Sequence, residues 1–305
     1  MLNAIKGFFI GIAMVIPGLS GSVFAIVLGV YEDMLFAVSD ISKNFLKNFK
    51  YLFPIGIGIV LGIFLSVDIV LRITQRWSAF SFLFFAGLVA GSIPLVTKKI
   101  KTTNFKLKYL VGLILSFAFV YFITISSGAS SEHISLYRIN NMMDFLTVTF
   151  IGLVGVSLMA LPGVSGSVIL IMLGHFGTVY NSANELTIFI SNFTRGNMEL
   201  AVESLYTVFI LVPFGIGALI GIISISKFIT YILNKFEVAV YYCILGALIS
   251  TIVVLIYIGV LQDISTTNLI ELSLFLLSGL FWFFIGFLCT VFLDKKEDKN
   301  AVVRN

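Results

Sequence analysis

The chain has 305 residues, 59% hydrophobic and 11% charged, with a formal net charge of +4 and a mean hydropathy of +1.10. Soluble domains carry roughly 25% charged residues, so this composition excludes a soluble globular protein and implies several membrane-crossing helices. The small positive charge gives no sign of a nucleic-acid partner, and none is expected; the alternating polarity of membrane β-strands does not occur.

The first predicted element covers residues 4–37. It contains "PGLSGSVFAIVLG" (17–29), with three glycines, one proline and two serines in an apolar setting. The lysine and short apolar run ahead of it match a secretory leader. The same cassette recurs mid-chain, however, so the segment reads as mature structure. Spanning helices are predicted over 51–72, 78–97 and 108–128, each long enough for a ~30 Å hydrocarbon core at ~1.5 Å per residue.

The second cassette segment covers 142–181. Its core, "PGVSGSVILIMLG" (162–174), repeats nine of the thirteen residues of 17–29. Further spans are predicted over 205–226, 237–260 and 269–293. "PIGIGIVLGI" (54–63) returns as "PFGIGALIGI" (213–222) at six of ten positions, and "FFAGLVAG" (84–91) is echoed by "CILGALIS" (243–250). The chain therefore reads as one domain of two homologous halves, 1–140 and 141–305.

Basic residues orient these elements, because short cytoplasmic loops carry excess Lys and Arg. If both cassettes are re-entrant hairpins, fifteen of the nineteen Lys and Arg lie on one face, leaving Arg72, Arg76, Arg138 and Arg195 on the other. If both cassettes span, the split is ten against nine, which carries no signal. The expected fold is thus an all-α polytopic membrane protein with six spanning helices plus two re-entrant hairpins. Both termini are cytoplasmic. Three spans per half invert the second half relative to the first, the arrangement of alternating-access transporters.

Within each cassette the residue types have local roles. Pro17 and Pro162 end the entering leg. Gly18, Gly21, Gly163 and Gly166 allow close backbone approach or positive φ. Ser20 or Ser22, and Ser165 or Ser167, are suited to cap the returning leg. The free N–H groups and partial positive charge at such a helix start suit an oxyanion such as phosphate. The competing reading is a pair of hinges with no ligand.

Other polar residues carry weaker signals. Asp68, Arg72 and Arg76 lie four apart on one helix face, as an interfacial ion pair or as first contact for an anionic headgroup. Glu32, in "GVYE", is either a solvated helix end or a carrier of a coupling proton. Glu199 and Glu203 read as solvated, His175 as a buried group or pH sensor, and Trp77 as part of an interfacial aromatic belt. Cys243 and Cys289 read as small core side chains. Neither the cysteines nor the two histidines form a metal-binding spacing, and no cofactor is expected.

"NAIKGFFIGIAMVIPGLSGS", "LGVYE", "FFAGLVAGSIPL" and "LPGVSGSVILIMLG" together resemble the bacterial polyprenyl-phosphate transporters over nearly the whole chain. The resemblance implies a flippase in the cytoplasmic membrane, returning undecaprenyl phosphate for reuse in cell-wall polymer and peptidoglycan synthesis. It places the headgroup at Pro17–Ser22 and Pro162–Ser167, and adds Gly91, Ser92 and Pro94. This chain departs from the family pattern at Gly21-Ser22-Val23, often Gly-Gly-Thr, and at "GHFGTVY", usually Gly-x-Tyr. The cassette also resembles the Pro-Gly-x-Ser-Arg-Ser loop of undecaprenyl-pyrophosphate phosphatases. Gly21 and Gly166 stand where those enzymes hold the arginine that clamps a transferring phosphoryl group, so the expectation is binding without hydrolysis. A phosphatase and a small-anion permease are the alternatives. Coupling to H⁺ or Na⁺ is expected, with Glu32 and Asp68 as candidate proton carriers.

Overall fold

The computed structural model describes residues 2–16, 19–100, 107–126, 136–257, 259 and 277–292, the side chains of Val67, Asp68, Leu71 and Ser167 excepted. Every element among them is a helix: α1 (Leu2–Val15), α2 (Gly21–Val27), α3 (Tyr31–Ser39), α4 (Phe45–Arg76), α5 (Ser78–Ile100) and α6 (Leu107–Ser126). After these come α7 (Met142–Met159), α8 (Gly166–Met172), α9 (Phe176–Thr194), α10 (Met198–Val208), α11 (Leu211–Ile256) and α12 (Leu277–Phe292). Five stretches among the described residues are long and apolar enough to cross a membrane, or six if the bent pair α2–α3 forms one span. Large apolar side chains stand outward on them, among them Phe64 at 78% exposure, Phe122 and Leu219. Such surfaces belong in lipid, and the protein is an integral membrane protein.

The predicted spans 51–72, 78–97 and 108–128 appear as α4, α5 and α6. The predicted spans 205–226 and 237–260 fall on either side of a kink at Phe236 (φ −136°, ψ 44°), where two helices meet within α11, the first span beginning in α10. Nothing between Lys227 and Lys235 is a glycine or proline, so the first of these helices runs on to Lys235 before the kink. The predicted span 269–293 is described from residue 277 onward, as α12.

Each cassette contains a second break that the sequence reading passed over. Returning helix α2 stops after seven residues, and α3 leaves it at 116°. The stop is a Schellman motif, in which a glycine just past the helix adopts positive φ and the next two N–H groups cap the last carbonyls. Gly29 has φ 64°, its N–H donates to Ile26 and the Val30 N–H donates to Ala25 at 2.9 Å. The copy is the same: Gly174 has φ 74°, its N–H donates to Ile171, and the His175 N–H donates to Leu170 at 2.9 Å. Lys6, early in α1, donates to the Leu28 carbonyl at the end of α2 at 3.1 Å. The side chain of Lys6 thus ties α1 to the far end of α2.

Contacts group the chain into two compact units: 1–124 with 162–165 and 227–305, and 125–161 with 166–226. In the first, α1 lies against α4 so closely that a Cβ on Gly7, Gly58 or Gly62 would overlap the carbonyl oxygen of Ile55, Ala4 or Phe8. In the second, α7 meets the start of α11 in the same way, with Gly152, Gly217 and Gly221 against the carbonyls of Phe214, Thr149 and Leu153. Each contact in the second set is the sequence equivalent of one in the first. Small residues that let helix backbones touch are a usual route to helix association in lipid, where burial of apolar surface offers no drive. A third type of close approach, within the first unit, joins α5 to α12 (Gly87 to Phe283, Gly286 to Phe84) and α6 to the second part of α11 (Gly246 to Leu113).

Candidate functional site

The two cassette tips meet in the first unit. Ser20 is the N-cap of α2, in extended conformation (φ −105°, ψ 145°), and its hydroxyl accepts from the Val23 N–H at 3.3 Å. This selects Ser20 over Ser22 as the cap. The same hydroxyl accepts from the Gly163 N–H at 3.3 Å, across 143 residues of chain, and pairs with the Ser22 hydroxyl at 2.7 Å. Ser20 is 3% exposed, so these three partners fill its environment. Gly163 has φ +83°, a left-handed conformation that costs an L-residue ~1–2 kcal/mol. A Cβ there would stand 2.9 Å from Thr251 Oγ1 and 3.0 Å from Val120 Cγ1. Glycine is thus required at this position both by its backbone conformation and by its neighbours.

The remaining predicted residues fall into three groups. Ser22 joins the cluster directly, and Pro162 is buried beside Gly163. Gly21 and Gly166 occupy equivalent places, each under the methionine of its entering helix, Met14 and Met159. Ser165 is half-buried between Gly163 and α8. Pro17, Gly18 and the side chains of Ser167 and Asp68 lie outside the described residues. Ser92 is fully buried, and its hydroxyl donates within its own helix to Val89 at 2.6 Å. The adjacent Gly91 meets Thr290 of α12. The segment packs against α12, with the Ser92 hydroxyl bonded within its own helix. Arg72 and Arg76 are exposed at the far end of α4, and Arg76 lies 5.3 Å over the Trp77 ring, as an interfacial belt residue does.

Glu32 is not a freely solvated helix end. Lys99 Nζ lies 2.6 Å from Glu32 Oε1, the Tyr241 hydroxyl donates to the same oxygen at 2.6 Å, and Lys99 also donates to the Tyr241 hydroxyl at 2.7 Å. The three line a cavity of about 250 Å³ beside Gly29 and the α2–α3 bend. Sequence reasoning missed Lys99 and Tyr241 as partners, for they come from α5 and α11, 67 and 209 residues away. In the second unit, His175 is buried at the start of α9 with Nδ1 3.2 Å from the Thr178 hydroxyl, which accepts from the Leu136 N–H. Glu199 and Glu203 are exposed.

Within the first unit, the start of α2 thus brings together the hydroxyls of Ser20 and Ser22 and the Gly163 N–H, groups of the kind that can hydrogen-bond an oxyanion. A polyprenyl-phosphate transporter of Staphylococcus aureus is 27% identical over 253 residues, covering 82% of this chain and 84% of its own. A polyprenyl-phosphate transporter of Vibrio cholerae is 26% identical over 264 residues, covering 81% and 75%. Both are named for transport, not hydrolysis. No solved structure matches the chain. The model of the undecaprenyl phosphate translocase-like family matches residues 10–271, so the match takes in both cassette tips, Glu32, Lys99 and Tyr241. This protein belongs to the undecaprenyl phosphate translocase-like family.

Proposed function

We propose that this protein moves polyprenyl phosphate, undecaprenyl phosphate in particular, between the leaflets of the bacterial cytoplasmic membrane, returning the carrier lipid for cell-wall synthesis. The observation that carries the reading is the bond from the Gly163 N–H to Ser20, which brings two copies of one phosphate-suited cassette to a single point. The headgroup crosses at this point while the prenyl tail stays in lipid. The groups that staple the tips together, the Gly163 N–H and the Ser20 and Ser22 hydroxyls, are the donors an oxyanion would use. The stapled state is accordingly the closed one, and the headgroup passes by exchanging these bonds for its own.

We read the two cassettes as re-entrant hairpins of inverted halves, with both termini cytoplasmic. The bond from Lys6 to the Leu28 carbonyl supports the first hairpin, and the duplicated glycine crossings support the repeat. Gly21 and Gly166 in place of arginine favour passage over hydrolysis. Charge then requires a co-substrate. A phosphate monoester carries about −1.5 to −2 near neutral pH, and moving it inward against an inside-negative potential costs roughly 2.3 kcal/mol per charge per 100 mV. Entry of H⁺ or Na⁺ with the lipid offsets this.

Cells depleted of the protein, with no redundant transporter, are expected to accumulate undecaprenyl phosphate at the outer surface. Unchanged surface levels would sink the assignment. A purified protein that releases phosphate from polyprenyl pyrophosphate would replace it with the phosphatase reading.

A further inference from the structure

We propose that the cavity of Glu32, Lys99 and Tyr241 is a second phosphate-binding station, and that an arriving phosphate loads a proton onto Glu32 by taking Lys99 away from it. The inference rests on the transport reading above.

The cavity lies at the end of α2 opposite the tips. Seven residues at ~1.5 Å put about 10 Å between Ser20 and this end. At about 250 Å³ it falls just below the ~300 Å³ lower end of small-molecule clefts, a size for a headgroup and not for a whole lipid. Lys99 is 46% exposed and Glu32 30%, so the pair is reachable, and an ion pair this open is held weakly enough to exchange partners. The ammonium and the Tyr241 hydroxyl are both donors, and both now serve one carboxylate oxygen. A phosphate dianion offers more charge and more acceptor oxygens for the same donors.

The surrounding charges decide the response of Glu32. From α3 come Glu32 itself, Asp33 and Tyr31; from α5, Lys99; from α11, Tyr241 and Glu237; from α4, Tyr51 beside Asp33; from α1, Lys6, held on the Leu28 carbonyl. Once Lys99 turns to the phosphate, Glu32 has lost its direct cation and gained an anionic neighbour, with Asp33 still next to it. Each change favours protonation of a carboxylate. The proton comes from solvent water and rests on a Glu32 oxygen. The summed charge of headgroup, Lys99 and Glu32 then falls from about −2 to about −1 at the cytoplasmic end of the path, where Lys6 and Lys99 stand in the proposed orientation. Tyr241 keeps its hydroxyl proton throughout and positions Glu32. The copy of this place in the second cassette has Gly177 where the first has Glu32, so loading occurs once per cycle.

The test measures proton uptake by the purified full-length protein in weakly buffered detergent. Either a short-chain polyprenyl phosphate or inorganic phosphate is added, and binding is followed in parallel. The wild type is expected to take up about one proton per bound lipid more than Glu32→Gln, which still binds. Lys99→Gln is expected to bind about ten-fold more weakly, the loss of one charge-assisted contact. Tyr241→Phe, which keeps the ring but loses one donor, is expected to bind roughly five-fold more weakly and to shift the pH at which uptake is half-maximal. Uptake with the lipid alone identifies the lipid headgroup as the ligand, and uptake with both probes identifies the phosphate group itself. Equal uptake by wild type and Glu32→Gln, or binding unchanged in Lys99→Gln, overturns the inference. Neither of those results touches the transport reading, which fails separately if vesicles containing the wild type move no polyprenyl phosphate between leaflets.

Discussion

Gly163→Ala is expected to lower polyprenyl phosphate transport in reconstituted vesicles at least ten-fold while the protein still folds into the membrane. The left-handed backbone at φ +83° costs an alanine ~1–2 kcal/mol. Its Cβ would also press on Thr251 and Val120 at 2.9 and 3.0 Å, tighter than ordinary packing, and Val120 and Thr251 lie on different helices, α6 and α11. The loop relieves both by moving, and movement of a few tenths of an ångström removes the Gly163 N–H from Ser20, where the 3.3 Å bond has no slack. Ser20→Ala deletes the same bond from the other side and the cap of α2 as well, a loss of ~1 kcal/mol for the cap alone. The two variants are therefore expected to fail alike, and the double variant to fail no worse than either, because they share one interaction. Full transport by Gly163→Ala, measured by the surface exposure of labelled lipid over time, would mean that the tips do not work as a pair.

Paired glycines two residues apart give the second large effect, with opposite signs. Gly217→Ala is expected to lower the thermal midpoint of the detergent-solubilised protein by several degrees. Its Cβ would overlap the Thr149 carbonyl oxygen, so α7 and α11 must separate, at a cost of roughly 1–3 kcal/mol. Gly215→Ala, two residues earlier, meets nothing within 4 Å. It is expected to raise the midpoint slightly, since an alanine in an open helical position stabilises by ~0.4–1 kcal/mol. The first copy makes the same prediction independently, with Gly58 packed on Ala4 and Gly56 open. Equal midpoints for Gly217→Ala and Gly215→Ala would contradict the crossing. The comparison is internal, so any general cost of changing a helical glycine cancels.

Much of the site was legible in the sequence because its signals are local. A Pro-Gly-x-Ser-Gly-Ser run breaks a helix whatever surrounds it, and a serine before an apolar run is a cap. Ser20 and Ser22 stand out on those grounds, and they form the cluster. The Gly29 and Gly174 stops carried an equally local signal, a glycine after a short helix, that the stronger Pro-Gly break overshadowed. Ser92 stands out only through its neighbours in a motif. Its hydroxyl proved to be bonded within α5, since a buried serine in a helix bonds to its own backbone when no other acceptor is near. Glu32 was visible as a charge, but its environment was not. A carboxylate at a helix start reads as solvated unless one knows that Lys99 and Tyr241 stand over it.

The sequence by itself determined that the chain is helical and lives in lipid, because unpaired backbone is too costly there and long apolar runs allow no other structure. It also determined that the helices break at the Pro-Gly runs and that the breaking cassette occurs twice. Only the tertiary structure decided which of those breaks meet. The bond between Ser20 and Gly163 and the triangle of Glu32, Lys99 and Tyr241 join residues 67 to 209 apart, well beyond the three- or four-residue reach of helical patterning. Within the first unit these residues stand among helices whose backbones touch at glycines 7, 58, 62, 87, 246 and 286, a packing no local pattern encodes.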